Sequence, residues 1–478
     1  MKGCTAAAAA LAMLATAACR SSEPVPPSLP LVIPESERPE SGEPPSQPAA
    51  DPDIEDRHGY VVDTSGDNAA DGTAEAPWRT LDHAASKVEP GSTVIVRAGH
   101  YRGFSLSTSG RAEQPIRFLA KPGAIIDDPA HPDGINLEGA SFVEIRGFRI
   151  TGAARAGIRA VDCEHVTIRD NVVDNNGKWG ILTGFCDDLK IVDNESSRAV
   201  EQHGIYVGNT TARPLVQGNE VWGNRLGGVH VNGDRHMGQE GIVTEARIIG
   251  NVIRDNGKAG ASGINLDGVR DSVIANNLLY GNESTGIALY RIDGGKPSTG
   301  NAIVHNTVVM PRHKARWALL LRDGATDNTI YNNIFVNEHP RRGAIMASRD
   351  SLRGLKSDAN LLTERFTVDD GNTTLGLNAW RELTGQDGHS GPAPAIDALF
   401  ADPRQGDFRP TPESPARAAG RPLPRKLRGR AFDLLAEDLA GSARPGDHAP
   451  DLGCFQAAAS SGVPKPEAEP EADFDAET

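Results

Sequence analysis

The chain has 478 residues and a formal net charge of -15, with 52 glycines and only 5% aromatic residues. This acidic balance argues against nucleic acid as a partner, although a local basic patch could still bind an acidic polymer. Abundant glycine with few aromatics favours a turn-rich, repetitive β protein over a helical one.

The first segment, residues 1–19, has the features of an export signal. Lys2 provides a positive start, and residues 6–14 form an apolar stretch too short to span a bilayer. The small residues before Cys19 resemble a lipobox, which implies cleavage before Cys19 and attachment of lipid to it. An ordinary secretory signal cut after Ala18 is the alternative, and both predict export. Arg20 favours the outer membrane or the cell surface, because lipoproteins kept in the inner membrane often carry Asp there.

Two segments have compositions that do not support a packed core. Residues 20–58 are rich in Pro, Ser and Glu and are expected to form an extended tether. Residues 456–478 form an acidic tail. We assign residues 59–420 between them to one large β domain and residues 421–455 to a closing segment.

A Gly-apolar-x-apolar pattern repeats through the middle of the chain at steps of 23, 24, 24, 35 and 23 residues. It begins at Gly157, Gly180, Gly204, Gly228, Gly263 and Gly286. A second series consists of asparagines between apolar residues: Asn171, Asn194, Asn219, Asn251, Asn277, Asn306 and Asn333. Short strands of period 2 at this spacing predict a solenoid in which each strand pairs with its copy in the next coil. We interpret the asparagines as structural, because stacked amides can bond a repeatedly bent backbone.

Three cysteines lie beyond the signal, namely Cys163, Cys186 and Cys454, and they show no CxxC spacing. Cys163 and Cys186 occupy the same place in successive coils, so we expect them to be neighbours. Both a disulfide and a pair of buried, stacked thiols fit this placement.

Both ends of the β domain resemble a known superfamily. The first end carries Tyr60-Val61-Val62, Ser65-Gly66-Asp67, Pro77-Trp78 and Val94-Ile95-Val96. The last end carries Gly406-Asp407-Phe408, Ser414-Pro415, Arg444-Pro445 and Asp451-Leu452-Gly453. These segments are similar to the first and closing segments of the pectate-lyase-like β-helix superfamily. The resemblance implies an all-β, right-handed parallel β-helix with a short N-terminal capping helix at about Thr80 to Val88. It implies no single chemistry, because this superfamily contains lyases, hydrolases, epimerases and non-catalytic proteins.

Strand alternation predicts two outward-facing columns on the repeated strands. In the middle coils they contain Tyr206, His230 and Asn265, and Asn232, Asp267, Tyr290 and Arg322. The neighbouring polar residues are His203, Asp234, Arg235, His236, Arg291 and Asp293. Longer turns at residues 233–241 and 294–300 predict the walls of a groove over these columns.

The outward residues include the groups that β-elimination of a uronate polymer requires. His230 could act as the base near neutral pH, and Tyr206 or Tyr290 could return the proton. Arg291 or Arg322 could hold the sugar carboxylate. Lys296 is a reserve candidate for this role. We expect the remaining substrate contacts to come from Asn232, Asn265, Arg322, His203 and Arg235.

Asp234, Asp267 and Asp293 could supply oxygen ligands to calcium, which would then neutralise the carboxylate. No other cofactor is expected. The aspartate motifs of calcium-dependent pectate lyases and polygalacturonases, and the Asp-Pro-His motif of mannuronan epimerases, are not found.

Three functional hypotheses follow for a chain that we expect to be a monomer. The first is an exported lyase that acts on acidic polysaccharide. The second is a non-catalytic protein of the cell surface that binds glycan or serves as a rigid spacer. The third is an inverting glycosidase that pairs Asp267 with Asp234 or Asp293.

Overall fold

A computed structural model describes residues 59–128, 132–423, 435–445 and 448–457 of the chain. The predicted signal with Cys19, the tether at residues 20–58 and residues 458–478 of the acidic tail lie outside the described residues.

The polypeptide winds into coils that contribute in turn to three long parallel sheets. Sheet 1 contains Tyr60–Val62, Thr93–Val96, Ile116–Ala120, Val143–Arg146, Thr167–Arg169, Lys190–Val192, Leu215–Gln217, Arg247–Ile249, Val273–Ala275, Ala302–Val304, Thr329–Tyr331 and Lys356–Asp358. Sheet 2 contains Gly99–Arg102, Ala124–Asp128, Arg149–Thr151, Val172–Asp174, Glu195–Ser197, Glu220–Trp222, Val252–Arg254, Leu278–Tyr280, Thr307–Met310, Ile334–Asn337, Leu361–Leu362 and Gly391–Pro392. Sheet 3 contains Phe104–Leu106, Ile135–Glu138, Ala156–Glu164, Trp179–Asp187, His203–Gly208, Gly227–Asn232, Ile264–Asp267, Ile287–Tyr290, Leu319–Leu321, Ile345–Ala347 and Phe366–Thr367.

The remaining elements are short. A small parallel sheet contains Thr211–Ala212, Val243–Thr244 and Val269–Arg270, and an antiparallel pair contains Phe400–Asp402 and Asp407–Pro410. The helices are Leu81–Lys87, Leu377–Thr384 and Ile396–Leu399, and the 3-10 turns are Arg235–Met237, Arg349–Leu352 and Pro403–Gln405. The prediction of an all-β, right-handed parallel solenoid is therefore confirmed.

The interior of the solenoid is a continuous apolar core. Inward residues of successive coils stack in register, as Ile158, Ile181 and Ile205 do in sheet 3. All three are fully buried, and the stack continues through Val229 and Ile264. Each coil therefore covers the apolar face that its neighbour could not bury alone.

The asparagine series forms a ladder at the turn between sheets 1 and 2. Asn219 shows the pattern, because its backbone N–H and its Nδ2 both donate to Oδ1 of Asn251, each at 3.0 Å. Its Nδ2 also donates to the carbonyl oxygens of Ile191 and Gln217. These bonds satisfy carbonyl groups at the bend that no strand partner reaches. The structural interpretation of the asparagines is thus confirmed.

The ladder continues one coil further than the sequence pattern indicated, from Asn333 to Asn360. It ends on polar groups near the last coil. The backbone N–H of Asn360 donates to Oγ of Ser390 at 2.9 Å, and Ser390 Oγ donates to Asp387 at 2.6 Å. Asp387 is 1% exposed and also accepts from Nε1 of Trp380 at 2.8 Å.

Helices lie against the first and last coils of the solenoid. The predicted helix near Thr80 is found at Leu81–Lys87, where the Thr80 side chain accepts from the His83 N–H. Its buried face joins the core. In the helix Leu377–Thr384, Trp380 stacks on Phe366 with ring centroids 5.1 Å apart. None of the helices in the described ranges is long and apolar enough to cross a bilayer.

The C-terminal segment packs on the outside of the tube. Phe408 lies against Tyr280 of sheet 2, with ring centroids 4.9 Å apart, and against Phe400. It joins an apolar cluster with outward residues of sheet 2: Leu278, Val309, Ile334, Val336 and Leu361. Polar contacts hold the segment in place, since Arg444 donates to Asn276 Oδ1 at 2.8 Å.

The two repeated cysteines are neighbours, as the repeat predicts. Cys163 and Cys186 pair in register on adjacent strands of sheet 3, and both are buried. Both are free thiols in this structure, as the stacked arrangement requires, and the disulfide stays a prediction. Cys454 is also a buried free thiol.

Candidate functional site

The middle coils of sheet 3 bring the two predicted columns together. In the first column Tyr206 is beside His230, and His230 is beside Asn265. In the second column Asn232 is beside Asp267, and Asp267 is beside Tyr290. Strand register therefore assembles a polar and aromatic surface from residues that lie up to 84 positions apart in the chain.

Several of these side chains do not face solvent, contrary to the sequence-based prediction. Asn232, Asn265 and Asp267 are 3%, 4% and 1% exposed. Tyr206, His230 and Tyr290 keep intermediate exposure. For Asp267 the difference arises because backbone groups of the wall at residues 292–294 cover its carboxylate, whereas Asn232 and Asn265 bond to Tyr206 and to the Ser262 carbonyl oxygen. The accessible chemistry of the groove is thus concentrated in one imidazole and two phenols.

The centre of the groove is a row of three polar groups. Nδ1 of His230 and Nε2 of His203 lie 3.0 Å apart, so one nitrogen donates to the other. On its other side, Nε2 of His230 lies 3.5 Å from the hydroxyl of Tyr290. The structure therefore brings the predicted base and one predicted proton donor together, and it places His203 behind the base.

Burial keeps this row uncharged at neutral pH. Although His230 is partly exposed, desolvation lowers the pKa of His230 to about 4. Burial, reinforced by neighbouring His230, holds the pKa of His203 well below its usual value. Burial also raises the pKa of Tyr290 well above its usual value. An unprotonated imidazole beside a protonated phenol is the form required for acid-base chemistry.

The two imidazoles have two tautomeric arrangements. If His230 Nδ1 donates to His203, then Nε2 of His230 is an acceptor and can remove a proton. His203 then carries its own proton on Nδ1, a buried nitrogen with no hydrogen-bond partner among the described residues. In the other arrangement Nδ1 of His203 holds only a lone pair, and Nε2 of His230 is a donor.

Tyr206 is held by two neighbours, one of which the sequence analysis missed. Asn232 Nδ2 donates to the Tyr206 hydroxyl at 2.8 Å. Trp179 lies on the other side, with ring centroids 6.3 Å apart. Trp179 stands two residues before Ile181, as His203 stands two residues before Ile205. The residue directly before the repeat glycine is His203 in one coil and Trp179 in another, and comparing this position between coils would have found Trp179.

Asp267 anchors a wall of the groove. Its carboxylate accepts from the backbone N–H groups of Ile292, Asp293 and Gly294 at 2.9 to 3.1 Å. Burial outweighs these donors and raises the pKa of Asp267 to about 6. The carboxylate therefore holds the segment after Tyr290 against sheet 3, and both of its oxygens accept from backbone groups.

The three aspartates do not form a metal-binding cluster. Asp234 caps the 3-10 turn Arg235–Met237 by accepting from the His236 N–H at 2.8 Å. Burial and the nearby charge of Asp234 raise the pKa of Asp293. Within the described parts of the chain, no group of three or more His, Cys, Asp or Glu is arranged to hold a metal ion. Asp267 could reach a cation only by giving up its backbone hydrogen bonds. Calcium stays a prediction that this geometry does not support.

The predicted cationic residues lie at the edges of the groove. Arg322 is in the coil after Tyr290, where its backbone N–H donates to Leu289 at 3.0 Å. Its Nε lies 3.4 Å from an oxygen of Asp323. Arg235, Arg291 and Lys296 are exposed on the walls. Arg322 is therefore the predicted cationic residue that is next to Tyr290 in the second column.

Comparisons with known proteins agree with this architecture. Residues 60–206 match the family described as "Pel9A-like, right handed beta helix region", and residues 179–358 match that described as "Right handed beta helix region". The uncharacterized protein YwoF of Bacillus subtilis (strain 168) is 25% identical over 433 residues, which cover 74% of this chain and 91% of that protein.

One solved structure with a TM-score above 0.5 shares the fold at low identity, and a second structure is similar over part of this chain. Pectate lyase Pel9A superposes with a TM-score of 0.57 and 16% identity, covering 83% of this chain and 96% of that chain. An alginate lyase from Paenibacillus sp. str. FPU-7 gives a TM-score of 0.43 and 18% identity over 56% of this chain and 95% of that chain. Such identities establish architecture and not chemistry. The two family matches together with the shared architecture support a relation of this chain to the pectate-lyase-like right-handed parallel β-helix proteins.

Proposed function

We propose that this chain is a polysaccharide lyase that cleaves an acidic polysaccharide by β-elimination in the groove on sheet 3. One observation carries the proposal: uncharged His230 and the Tyr290 hydroxyl converge within 3.5 Å in the groove. Folding alone does not require a buried histidine pair on the outer side of a strand. The lyase neighbour in the comparisons is consistent with the proposal at the level of the fold.

The reaction follows from the positions of these groups. In the tautomer in which His230 donates to His203, Nε2 of His230 removes the proton next to the uronate carboxylate. The electrons of that C–H bond form a C=C bond, and the glycosidic C–O bond on the adjacent carbon breaks. Tyr290 protonates the leaving oxygen. Arg322, with Arg291 on the wall, pairs with the carboxylate and stabilises the negative charge that develops there.

His203 is a positioning residue in this scheme. It lies behind His230 and has no contact with the reacting atoms, but it selects the tautomer. We further propose export through the segment 1–19, with lipid on Cys19 holding the enzyme at the outer membrane or cell surface.

The test is the absorbance of unsaturated products in the ultraviolet. Protein lacking residues 1–58 is incubated with pectate, alginate and glycosaminoglycans, with and without calcium. We expect His230→Ala to lower kcat at least about 100-fold, because a general base contributes roughly 10² to 10⁴. Tyr290→Phe should also lower kcat. His100→Ala, whose side chain is 71% exposed on sheet 2, is the control. Undiminished product formation by His230→Ala would refute the mechanism.

Binding without cleavage is the second candidate, and the orphan nitrogen of His203 favours it. An unpaired buried N–H costs more than an unpaired lone pair. The tautomer that avoids the unpaired N–H puts a proton on Nε2 of His230, which is then a donor and not a base. Retention of a polymer without products in the same assay would support this candidate. The glycosidase hypothesis has no comparable support, because the oxygens of Asp267 bind backbone groups.

A further inference from the structure

A second concave site lies beyond the groove. A cleft of about 740 Å³ opens at the turns that precede the last three strands of sheet 3. Its basic lining residues are Lys314, Arg316, His339, Arg341, Arg342 and Arg365. We call this site the basic cleft. Such a concentration of positive charge contrasts with the net charge of -15 of the whole chain.

Carboxylates do not neutralise most of this charge. Lys314 pairs with Glu283 at 3.0 Å. Among the described residues, Arg316, Arg341 and Arg342 form no ion pair. Like charges that converge without counter-charges repel one another, and an anionic ligand would relieve this repulsion.

The cleft is built on an ordered framework. The guanidinium of Arg365 donates to the carbonyl oxygens of Arg342 at 2.6 Å and His339 at 2.8 Å. Nδ1 of His339 accepts from the backbone N–H groups of Arg341 and Arg342 at 3.1 and 3.2 Å. The turn that carries two of the arginines is therefore fixed before any ligand binds, which lowers the entropic cost of binding.

The position of the cleft connects it to the groove. The strand that follows Ile287–Tyr290 in sheet 3 is Leu319–Leu321, and the cleft residues precede this strand and the two after it. With about 4.8 Å between neighbouring strands, the cleft lies roughly 5 to 15 Å along the solenoid axis from Tyr290. The cleft residues precede these strands, so a polymer that runs along this axis over the beginning of the sheet 3 strands, where His203 also lies, would pass the cleft.

We propose that the basic cleft is a subsite for the anionic groups, carboxylate or sulfate, of a polysaccharide that extends from the groove. The inference rests on the proposed function for the identity of the ligand as a polysaccharide. Arginine suits this role because its planar guanidinium can form two parallel hydrogen bonds with one carboxylate or sulfate.

The test compares variants that lose the same charge. Arg316→Ala/Arg341→Ala removes two exposed cleft arginines, and Arg353→Ala/Arg404→Ala removes two exposed arginines elsewhere. Affinities for polygalacturonate, heparin and neutral dextran are measured by titration calorimetry at low and high salt. We expect the cleft variant to bind at least one anionic polymer about tenfold or more weakly than the control variant does. Added salt should reduce the difference. The preferred polymer distinguishes carboxylate from sulfate recognition.

Equal affinities of the two double variants for both anionic polymers would overturn the inference, as would equally tight binding of dextran. His230→Ala tests catalysis separately, because it leaves the cleft unchanged. If wild type forms unsaturated products and the cleft variant binds the polymers as tightly as the control variant does, only the inference about the cleft is rejected. If the cleft variant binds more weakly than the control variant and wild type forms no products, only the proposed lyase activity is rejected.

Discussion

His203 and His230 link the chemistry of the groove to the stability of the fold. Both have pKa values below the usual value because they are desolvated. In the unfolded chain each binds a proton at about pH 6.5. As the pH falls from 6.5 toward 4, the unfolded state takes up protons that the folded state does not bind. The contribution of these histidines to stability is therefore complete above this window and is lost as the pH falls through it.

We expect the free energy of unfolding to fall between pH 7 and pH 4.5, and His203→Gln/His230→Gln to reduce that fall by about 1 to 3 kcal/mol. The upper limit of this free-energy range is set below the value for two fully buried histidines, because His230 is partly exposed to solvent. Denaturant unfolding at both pH values measures the difference. His313→Gln, at an exposed position, should reproduce the wild-type fall. An unchanged pH dependence in the double variant would show that the two histidines are protonated alike in both states.

Single residues also show what the sequence could and could not predict in the site. Tyr206, His230 and Tyr290 were found because the period of a strand determines which side chains share a face. The role of Asp267 could not be found in this way, since its partners are backbone groups of a wall whose conformation has no repeat. Arg341 was missed for the same reason, because it belongs to a turn and not to a strand.

Among the repeated elements, the asparagine ladder provides the most regular hydrogen bonding. A strand in a parallel sheet satisfies its backbone groups through its neighbours, but a tight turn cannot. The ladder supplies these missing partners at the turn between sheets 1 and 2. Its members are buried, as Asn219 is at 1% exposure. Loss of one amide therefore leaves donors and acceptors unpaired in two coils.

Asn219→Ala tests this element. The change leaves Asn194 without its acceptor and the carbonyl groups of Ile191 and Gln217 without a donor. We expect a loss of about 2 to 4 kcal/mol in the free energy of unfolding, since each unsatisfied buried group costs roughly 1 to 3 kcal/mol. Asn378→Ala, on the exposed face of the helix Leu377–Thr384, should change stability by less than about 1 kcal/mol. Similar losses in both variants would contradict the structural role of the ladder.

The described part of the chain consists of a solenoid with the C-terminal segment packed on its side. The outward faces of sheets 1 and 2 carry apolar residues in the later coils, such as Val273 and Val309. The C-terminal segment covers them with Leu435 and Phe408. Among the described residues, those of the C-terminal segment do not join Tyr206 and Tyr290 of sheet 3 in these apolar clusters.

Phe408→Asp should release the C-terminal segment from sheet 2. Phe408 is 3% exposed, and a buried, unpaired carboxylate is strongly unfavourable. We expect limited proteolysis to cut within residues 396–457 at least about tenfold faster than in wild type, while the earlier coils stay resistant. Leu383→Asp, at a position that is 47% exposed, should keep the wild-type cleavage pattern. Simultaneous digestion of the entire chain would show that the segment and the tube unfold as one unit.

The overall fold was predictable from the sequence because the repeat constrains it twice, through glycines on one sheet and asparagines at one turn. The course of the C-terminal segment was not predictable. Residues 400–457 have no repeat, and nothing in their composition distinguishes packing over the end of a tube from packing along its side. Contacts such as those of Phe408 with Tyr280 and of Arg444 with Asn276 decide between the two.

The side-chain amides of the asparagine ladder also have a common orientation along the axis of the solenoid. Every amide from Asn171 to Asn333 donates toward the following coil, so the side-chain dipoles are parallel and polarise one another. Their positive end points to the last coils, where the chain of donors meets the buried Asp387. Asp387 is thus the carboxyl group at the end of an aligned row of dipoles that extends through much of the solenoid. The same polarity adds positive potential at the end of the tube where the basic cleft lies.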